Sequence, residues 1–150
     1  MYVMLYYNKH ARDSDGSMPL TKDQQRVLSA LKAAGRPLGA YALLDRLRQP
    51  GFKAPTQVYR ALDRLVELGT VHRLETLNAY IACGHPSDCK NNFTAFAICD
   101  TCGHIDEIAA SALSGSLDCL IKENDFAARG ATIEILGKCQ SCIGLEQTES

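Results

Sequence analysis

The chain has 150 residues, of which 46% are hydrophobic, and its formal net charge is −1. This length suits one compact unit or two small lobes with enough apolar residues for a core. No apolar run approaches the roughly 20 residues that a membrane-spanning helix needs, and the apolar segment Met1–Tyr7 is too short for a signal-peptide core. We therefore expect a cytoplasmic protein without a membrane partner, whose seven cysteines stay reduced.

Charge is divided unevenly along the chain. Residues 21–73 contain ten Lys/Arg and four Asp/Glu, a balance of +6, whereas residues 74–150 contain four Lys/Arg and eleven Asp/Glu, a balance of −7. A basic first half joined to an acidic second half indicates a nucleic-acid-binding lobe attached to a lobe with another task. Chance variation of surface charge is the alternative.

The chain begins with a segment that lacks a regular pattern. We expect residues 1–18 to form a flexible N-terminal tail. Thr21 and Gln24 then form a capping box, the sequence signature of a helix start. Apolar residues recur at helical spacing after it and stop at Gly35, which predicts the first helix.

Two more helices and a hairpin follow. A second helix is predicted over residues 41–47 and a third over residues 55–68, each bounded by Pro or Gly. The segments Val71–Leu74 and Ala79–Ala82 flank a polar turn and predict a short β-hairpin. Three helices and a hairpin describe a winged helix-turn-helix, which we expect over residues 19–82.

The second half of the chain mixes strands with one helix. Residues 93–98, 105–108 and 131–136 are apolar or alternating runs that predict strands. Leucines and an isoleucine at helical spacing predict a helix over residues 113–121. We therefore expect an α+β protein, in which a second, small α/β domain occupies residues 83–150.

Two C-x-x-C pairs carry the strongest chemical signal, Cys99/Cys102 and Cys139/Cys142. Zinc prefers four thiolates at this spacing, and a site closed by four protein ligands is structural rather than catalytic. Two disulfides or one thioredoxin-like redox pair are the alternatives. We favour zinc because nothing marks the chain as secreted and a redox site needs only one pair. With no His-Glu-x-x-His run, we expect neither an enzyme nor a small-molecule substrate.

The third predicted helix carries a polar face suited to DNA. Gln57, Arg60 and Arg64 fall within roughly 60° of one another at 100° per residue. In the major groove Arg reads guanine and Gln reads adenine. A solvated helix face is the alternative, and the predicted hairpin and the charge division favour DNA over it. The candidate DNA-binding residues are Tyr41, which also suits the edge of a core, Thr56, Gln57, Tyr59, Arg60 and Arg64.

The chain resembles repressors of the ferric uptake regulator family over residues 20–145. The matching segments are residues 56–62, residues 96–103 and the final Cys139-x-x-Cys142 pair. The resemblance implies a winged-helix DNA-binding domain, a C-terminal dimerisation domain, a structural zinc and a second metal site that controls DNA binding. We therefore expect a homodimer on double-stranded operator DNA, with two zinc ions per chain.

Residues 71–83 resemble the zinc uptake regulator branch of that family. This resemblance implies that His72, Cys83 and Glu107 bind a regulatory zinc. Iron-sensing members usually carry a His-rich run before the strand that leads into the first C-x-x-C pair, and residues 91–94 of this chain contain no His. The expected function is a zinc-responsive repressor of zinc-uptake genes, and a repressor that senses iron, manganese or peroxide is the alternative.

The fourth regulatory ligand departs from the family pattern, because no His lies shortly before Phe93. Cys89 keeps a loop span from Cys83 comparable to that of related sensors. Its thiolate also favours zinc over iron or manganese. His85 is the substitute candidate, and water or Asp88 remains open.

Three other residues are not predicted to bind metal or DNA. Cys119 lies among leucines, which predicts a buried apolar thiol. His104 is interpreted as a surface residue, or as a hydrogen-bond donor to a zinc ligand. His10 lies in the predicted tail and receives no role. By class, the remaining alternatives are a thiol oxidoreductase and a zinc-ribbon interaction module that does not bind DNA.

Overall fold

The computed structural model describes residues 2–4, 19–48, 51–84, 93–109, 111–128 and 131–146, without the side chains of residues 2–4, 109, 111, 112, 145 and 146. The chain divides into two compact units. Asn8–Lys90 form the first, here called the helical unit, and Met1–Tyr7 together with Asn91–Ser150 form the second, called the sheet unit.

The described elements follow one another along the chain as helices first and mainly strands later. In order they are β1 (Tyr2–Met4), α1 (Lys22–Ala34), α2 (Ala40–Leu47), α3 (Pro55–Glu67), β2 (Val71–Leu74), β3 (Ala79–Ala82), β4 (Phe93–Cys99), β5 (Ile105–Ala109), α4 (Ser111–Glu123), β6 (Ala131–Gly137) and α5 (Gln140–Glu146). None of the helices in the described ranges is both long and apolar enough to cross a membrane.

Helix α1 begins and ends as its sequence predicts. The Thr21 hydroxyl accepts a hydrogen bond from the Gln24 backbone N–H at 3.3 Å, and the Gln24 side chain accepts one from the Thr21 N–H at 3.0 Å. This reciprocal pair satisfies amides that the first helical turn leaves unpaired. The helix ends at Gly35, whose φ of 59° places it in the left-handed conformation that glycine adopts without strain.

The helical unit has a continuous apolar core. Side chains from all three helices and the hairpin are almost fully buried, among them Val27, Leu31, Leu43, Leu62, Leu65 and Val71. Two backbone hydrogen bonds of 2.9 Å between Leu38 and Tyr80 join the loop after α1 to strand β3. Three packed helices with a two-stranded hairpin confirm the predicted winged helix-turn-helix.

The sheet unit is built on four strands in the order β1-β6-β4-β5. Strand β4 is antiparallel to β5 and parallel to β6. Parallel neighbours need a long crossover connection, and here β5 and α4 lie between β4 and β6 in the chain. Buried apolar residues on β4 and β6 form the centre of this unit: Ala95, Phe96, Ile98, Ala131 and Ile133. The α+β fold class is therefore confirmed.

Three features differ from the sequence prediction. Tyr2–Met4 form a strand antiparallel to β6 instead of lying in a flexible tail, because β6 offers backbone groups that a short apolar segment can pair with. Gln140–Glu146 form a helix, although the sequence pattern there predicts only metal ligands. The units divide between Lys90 and Asn91 rather than between residues 82 and 83, so that Cys83 belongs to the helical unit.

Candidate metal centres and nucleic-acid interface

Sheet topology brings the two C-x-x-C pairs together. Cys99 is the last residue of β4 and lies opposite Gly137, the last residue of β6. Because β4 and β6 are parallel neighbours, the turns that follow them leave from the same edge of the sheet. One turn carries Cys102 and the other leads to Cys139, so residues 37 positions apart become neighbours in space.

All four cysteine sulfurs lie within 4.8 Å of one another. The Sγ atoms of Cys102 and Cys139 are 3.6 Å apart, close to the roughly 3.8 Å between ligands of a tetrahedral zinc with Zn–S bonds of about 2.3 Å. All four are free thiols rather than disulfides. Cys99 and Cys142 are buried, with 4% and 6% of their surface exposed. This donor set fits a closed, four-thiolate structural zinc site.

Short turns hold the sulfurs in place. The Gly103 N–H donates to the Cys99 carbonyl at 2.9 Å, and Gly103 has a φ of 75°, which a side chain would strain. In the second turn the Cys142 N–H donates to the Cys139 carbonyl at 3.0 Å. The backbone N–H of Cys139 also donates to the Cys99 sulfur at 3.3 Å. These backbone hydrogen bonds help to hold the four sulfurs near one another.

Charge within the cluster is shared unequally. Backbone N–H groups of Cys139 and Cys102 lower the pKa of the Cys99 thiol to about 6. Hydrogen bonds with Cys102 and Cys139 raise the pKa of Cys142 to about 12. Four adjacent thiols cannot all ionise without a cation, because each thiolate opposes the next. A divalent ion removes that obstacle, so the electrostatics of the cluster suit a metal.

His104 contributes to the cluster through its backbone. Its N–H lowers the pKa of the Cys102 thiol, while hydrogen bonds with Cys99 and Cys139 raise it, and the net shift is upward. The imidazole is exposed and lies 3.2 Å from a carboxylate oxygen of Asp106. The interpretation of His104 as a surface residue is confirmed, and its contact with a predicted ligand comes from the main chain.

The wing brings two predicted regulatory ligands together. His72 on β2 lies opposite Ile81 on β3. The Cys83 N–H donates to the Thr70 carbonyl at 2.9 Å, which continues the hairpin ladder one step further. Because side chains alternate along a strand, Cys83 faces the same side as Ile81 and therefore as His72. A ring nitrogen of His72 and the Cys83 sulfur lie within 4.8 Å of each other.

The remaining regulatory candidates come from other segments of the chain. Glu107 is on β5 of the sheet unit, half-buried and opposite Phe96 of β4. Cys89 and its substitute His85 lie outside the described residues. The sulfur of Cys83 is disulfide-bonded in the structure. A sulfur in a disulfide does not act as a thiolate ligand, so the predicted role requires the reduced form.

Helix α3 presents its predicted DNA face to solvent. Thr56, Gln57, Tyr59, Arg60 and Arg64 are all exposed, whereas Val58, Ala61, Leu62 and Leu65 are buried on the opposite side. Tyr41 on α2 is 68% exposed. Its alternative interpretation as an aromatic at the edge of the core is therefore wrong.

Two polar residues of this face are already engaged. The Gln57 amide oxygen accepts hydrogen bonds from the backbone N–H groups of Lys53 at 2.8 Å and Ala54 at 3.2 Å. These contacts cap α3 and occupy the acceptor that bidentate adenine recognition requires. Arg64 is paired with Glu67 at 3.0 Å. Arg60 has no ion-pair partner among the described residues.

Known proteins resemble the chain over most of its length. No family model matches it. The Zinc uptake regulation protein of Escherichia coli (strain K12) is 39% identical over 129 residues, which cover 85% of this chain and 74% of that protein. A relative this similar over this length shares the family.

The chain belongs to the zinc uptake regulator branch of the ferric uptake regulator family.

Solved structures of zinc uptake regulators agree with this assignment. The crystal structure of holo XcZur superposes with a TM-score of 0.76 and 36% identity, covering 87% of this chain and 90% of that one. A zinc uptake regulator complexed with zinc and DNA gives the same TM-score with 35% identity, covering 86% of each chain. The family resemblance inferred from residues 56–62, 71–83 and 96–103 is thus confirmed.

One prediction outside these sites is wrong. Cys119 is a free and exposed thiol on α4, not a buried one. Its helical neighbour Leu120 is 57% exposed. Cys119 does have apolar neighbours in the sequence. However, Cys119 and Leu120 are not buried by other residues within the described part of the chain.

Proposed function

We propose that the chain is a zinc-responsive transcriptional repressor, which binds palindromic operator DNA as a homodimer when regulatory zinc is loaded and controls zinc-uptake genes. The superposition on a zinc uptake regulator complexed with zinc and DNA carries this proposal. The curated relative bears the matching name, Zinc uptake regulation protein. The basic helical unit and the thiol-rich sheet unit supply the two kinds of chemistry that such a regulator needs.

The exposed face of α3 is proposed to read DNA. Arg60 stands at its centre, with no ion pair among the described residues, and a guanidinium can bind guanine through two hydrogen bonds. Tyr59 and Thr56 lie near the start of the helix, where side chains reach base edges or phosphates. Arg64 contributes as a charge partly neutralised by Glu67. Tyr41 extends this surface onto α2.

Homodimer formation is supported by exposed apolar side chains of the sheet unit. Seven large apolar residues there are 39–57% exposed: Ile108, Leu113, Leu120, Phe126, Ile135, Leu136 and Ile143. A dimer interface that covers some of these side chains would be favourable, because it removes apolar surface from water. A two-fold dimer also matches the symmetry of a palindromic site, with one recognition helix for each half-site.

The four-cysteine cluster is proposed as the structural site. Cys99, Cys102, Cys139 and Cys142 supply four sulfurs and leave no position for water, so the site stabilises the fold rather than catalysing a reaction. Zinc bound there would tie the end of β4 to α5. A small unit gains folding free energy from such a link.

The regulatory site is proposed at His72, Cys83 and Glu107, with Cys89 as the fourth ligand and His85 as its substitute. The first two belong to the helical unit and Glu107 to the sheet unit. Bound zinc would supply a link between ligands of both units. The residues would thereby restrict the units to an arrangement that favours DNA binding, and by linkage DNA would tighten zinc binding to the same degree, by about 1–3 kcal/mol.

The test of the proposal is metal-dependent DNA binding by the reduced, purified dimer. Zinc, iron and manganese are titrated separately into protein that mild chelation has depleted, and binding to an enriched palindromic duplex is followed by fluorescence anisotropy. Zinc should tighten binding roughly 5–150-fold. Metal content should fall from two ions per chain to one on chelation, while sedimentation still shows the dimer.

Two results would contradict the proposal. A tighter functional response to iron or manganese than to zinc would show that the chain senses another metal. Duplex binding that is unaffected by every metal would show that the family architecture serves DNA binding without regulation.

A further inference from the structure

Helix α1 carries a basic groove whose lining residues are distinct from the candidate DNA-reading residues of α3. The groove has a volume of about 660 Å³ and is lined by six residues: Lys22, Gln25, Arg26, Ser29, Ala30 and Leu47. Four of these are exposed polar residues of α1, and Leu47 of α2 is buried. The lining contains two cations and no carboxylate.

The two cations are neighbours on the helix surface. Lys22 and Arg26 are four residues apart, a spacing that puts their Cβ atoms roughly 5–6 Å from each other. Like charges at this spacing repel each other, and a phosphate bound by both would reduce that repulsion. Asp23 is next in the chain but points about 100° away around the helix. Lys22 has no ion-pair partner among the described residues.

The groove adjoins the segment that leads into α3. A Cβ added to Gly51 would lie 3.9 Å from the guanidinium nitrogen Nη1 of Arg26. The next residue, Phe52, is buried, and its N–H donates to the Leu47 carbonyl at 3.4 Å. The loop is thus anchored to α2. Arg26 therefore lies beside the loop that leads into α3, and Lys22 lies one helical turn before Arg26 on α1.

We propose that Lys22 and Arg26 bind a phosphate of the DNA backbone when α3 enters the major groove. This inference rests on the proposed DNA-binding function. The N-terminal end of a recognition helix points at the bases, so groups beside that end face the strand that borders the groove. Ser29 and Gln25 add polar groups to the same surface. The contact positions the protein on the duplex and carries no sequence information.

The test compares two lysines of one helix. Lys22→Gln removes a charge from the groove, and Lys32→Gln removes the same charge from an exposed position on α1 outside it. Binding is measured by fluorescence anisotropy over a range of salt concentrations. The two probes are a palindromic duplex that was selected by its binding to the protein and a scrambled duplex of equal length and composition. Thermal unfolding and dimer content of each variant check that the fold is retained.

Lys22→Gln should weaken binding to both duplexes by a similar factor. The slope of log K against log salt should become shallower by about 1. This is equivalent to a roughly fourfold smaller loss of affinity between about 50 and about 200 mM salt. Lys22→Arg should restore the slope. Lys32→Gln should leave it unchanged, because a charge outside the contact releases no counterion from a bound phosphate.

The outcomes separate this inference from the function on which it rests. Equal slopes for Lys22→Gln and Lys32→Gln overturn the phosphate contact. A selective loss on the palindromic duplex also overturns it, since that result assigns Lys22 to base recognition. If zinc leaves duplex binding by the wild-type protein unchanged, the proposed function fails, and the slopes on the scrambled duplex still decide the contact.

Discussion

At the scale of single residues, the protonation of the cysteine cluster follows from its hydrogen bonds. The Cys99 sulfur accepts hydrogen bonds from backbone N–H groups, which lower its pKa to about 6. The pKa of Cys142 is raised to about 12. The pKa of Cys102 is also raised. In the metal-free protein near neutral pH, Cys99 is therefore a thiolate, and Cys102 and Cys142 are thiols. A metal must displace the protons of the last two.

This arrangement predicts a steep pH dependence of zinc affinity. Binding should release at least two protons, from Cys102 and Cys142, so affinity should rise by about 100-fold or more for each pH unit between pH 7 and pH 8. As the pH falls below about 6, Cys99 also becomes protonated and the dependence should steepen by about one further proton. Competition with a chromophoric chelator at several pH values measures the slope. A slope near zero would be incompatible with this protonation pattern.

Substitution of one cysteine of the cluster should reduce zinc content and stability, whereas substitution of a cysteine outside it should not. Cys99→Ser removes a buried ligand at the end of β4, and we expect loss of one zinc per chain and unfolding of the sheet unit. Structural zinc sites contribute on the order of 10 kcal/mol in small domains, which exceeds the stability of most such units. Metal analysis, circular dichroism and sedimentation provide the readouts.

Cys119→Ser is the matched control for this experiment. Cys119 is a free, exposed thiol of the same unit and lies outside the cluster. The variant should keep both its zinc content and its unfolding temperature. A full complement of tightly held zinc in Cys99→Ser would refute the four-sulfur site.

At the scale of elements, α3 divides its polar residues between capping and recognition. Gln57 holds the two backbone N–H groups before the helix, while Arg60 stands exposed one turn later. Their helical spacing puts Gln57 and Arg60 on the same face of α3. The hydrogen bonds of Gln57 show that it caps the helix, whereas Arg60 makes no such contact within the residues that the structure describes. Capping groups and base-reading groups are the same residue types, so position on the helix alone does not separate them.

This division predicts opposite effects for two substitutions in α3. Gln57→Ala should destabilise the protein by about 1 kcal/mol through loss of the cap, measured by chemical unfolding. Arg60→Ala should leave stability unchanged and weaken operator binding by about 1–3 kcal/mol, with relaxed base preference at one position. Both variants are compared on the same set of duplexes.

Gln57→Glu resolves the remaining ambiguity. A carboxylate keeps the acceptor for the Lys53 and Ala54 amides but cannot donate a hydrogen bond to adenine. Stability near that of the wild type together with an unchanged base preference would support capping as the task of Gln57. A changed preference at a single adenine would instead restore the base-reading role.

At the scale of the whole molecule, the proposed regulatory site draws its ligands from two separate units. His72 and Cys83 lie close together at the end of the wing, and the proposed third ligand Glu107 belongs to the sheet unit. A metal site that uses residues of both units makes metal occupancy and DNA binding interdependent. The structural cluster lies within the sheet unit alone and should not share this coupling.

Cys83→Ser should therefore abolish regulation and leave the architecture intact. We expect loss of the regulatory zinc, retention of the dimer and of the structural zinc, and an operator affinity that zinc no longer raises. The wild-type increase should be roughly 5–150-fold. Anisotropy titrations in the presence of reductant, which keeps Cys83 a thiol, measure the effect. Persistent zinc dependence in Cys83→Ser would place the sensing site elsewhere.

Much of the molecule follows from local sequence. The Thr21 capping box, the helical spacing after it and the β-hairpin of residues 71–82 depend on neighbours within one or two turns, and the structure contains all three. The strand patterns of the second half were likewise readable. Two features do not follow from local sequence: β1, because three apolar residues carry no period of their own, and α5, because its C-x-x-C residues indicate metal binding and not a helix.

The residue types of the cysteine cluster and their spacing are determined by sequence alone, and so are the chemistry of zinc binding and the family. Tertiary structure decided which groups meet and which are covered. Cys99 and Cys139 approach because β4 and β6 are parallel neighbours, a pairing between strands far apart in the chain. Gln57 caps α3, Cys119 is exposed, and Lys22 and Arg26 flank a groove, because burial and hydrogen bonding depend on atoms that sequence neighbours do not supply.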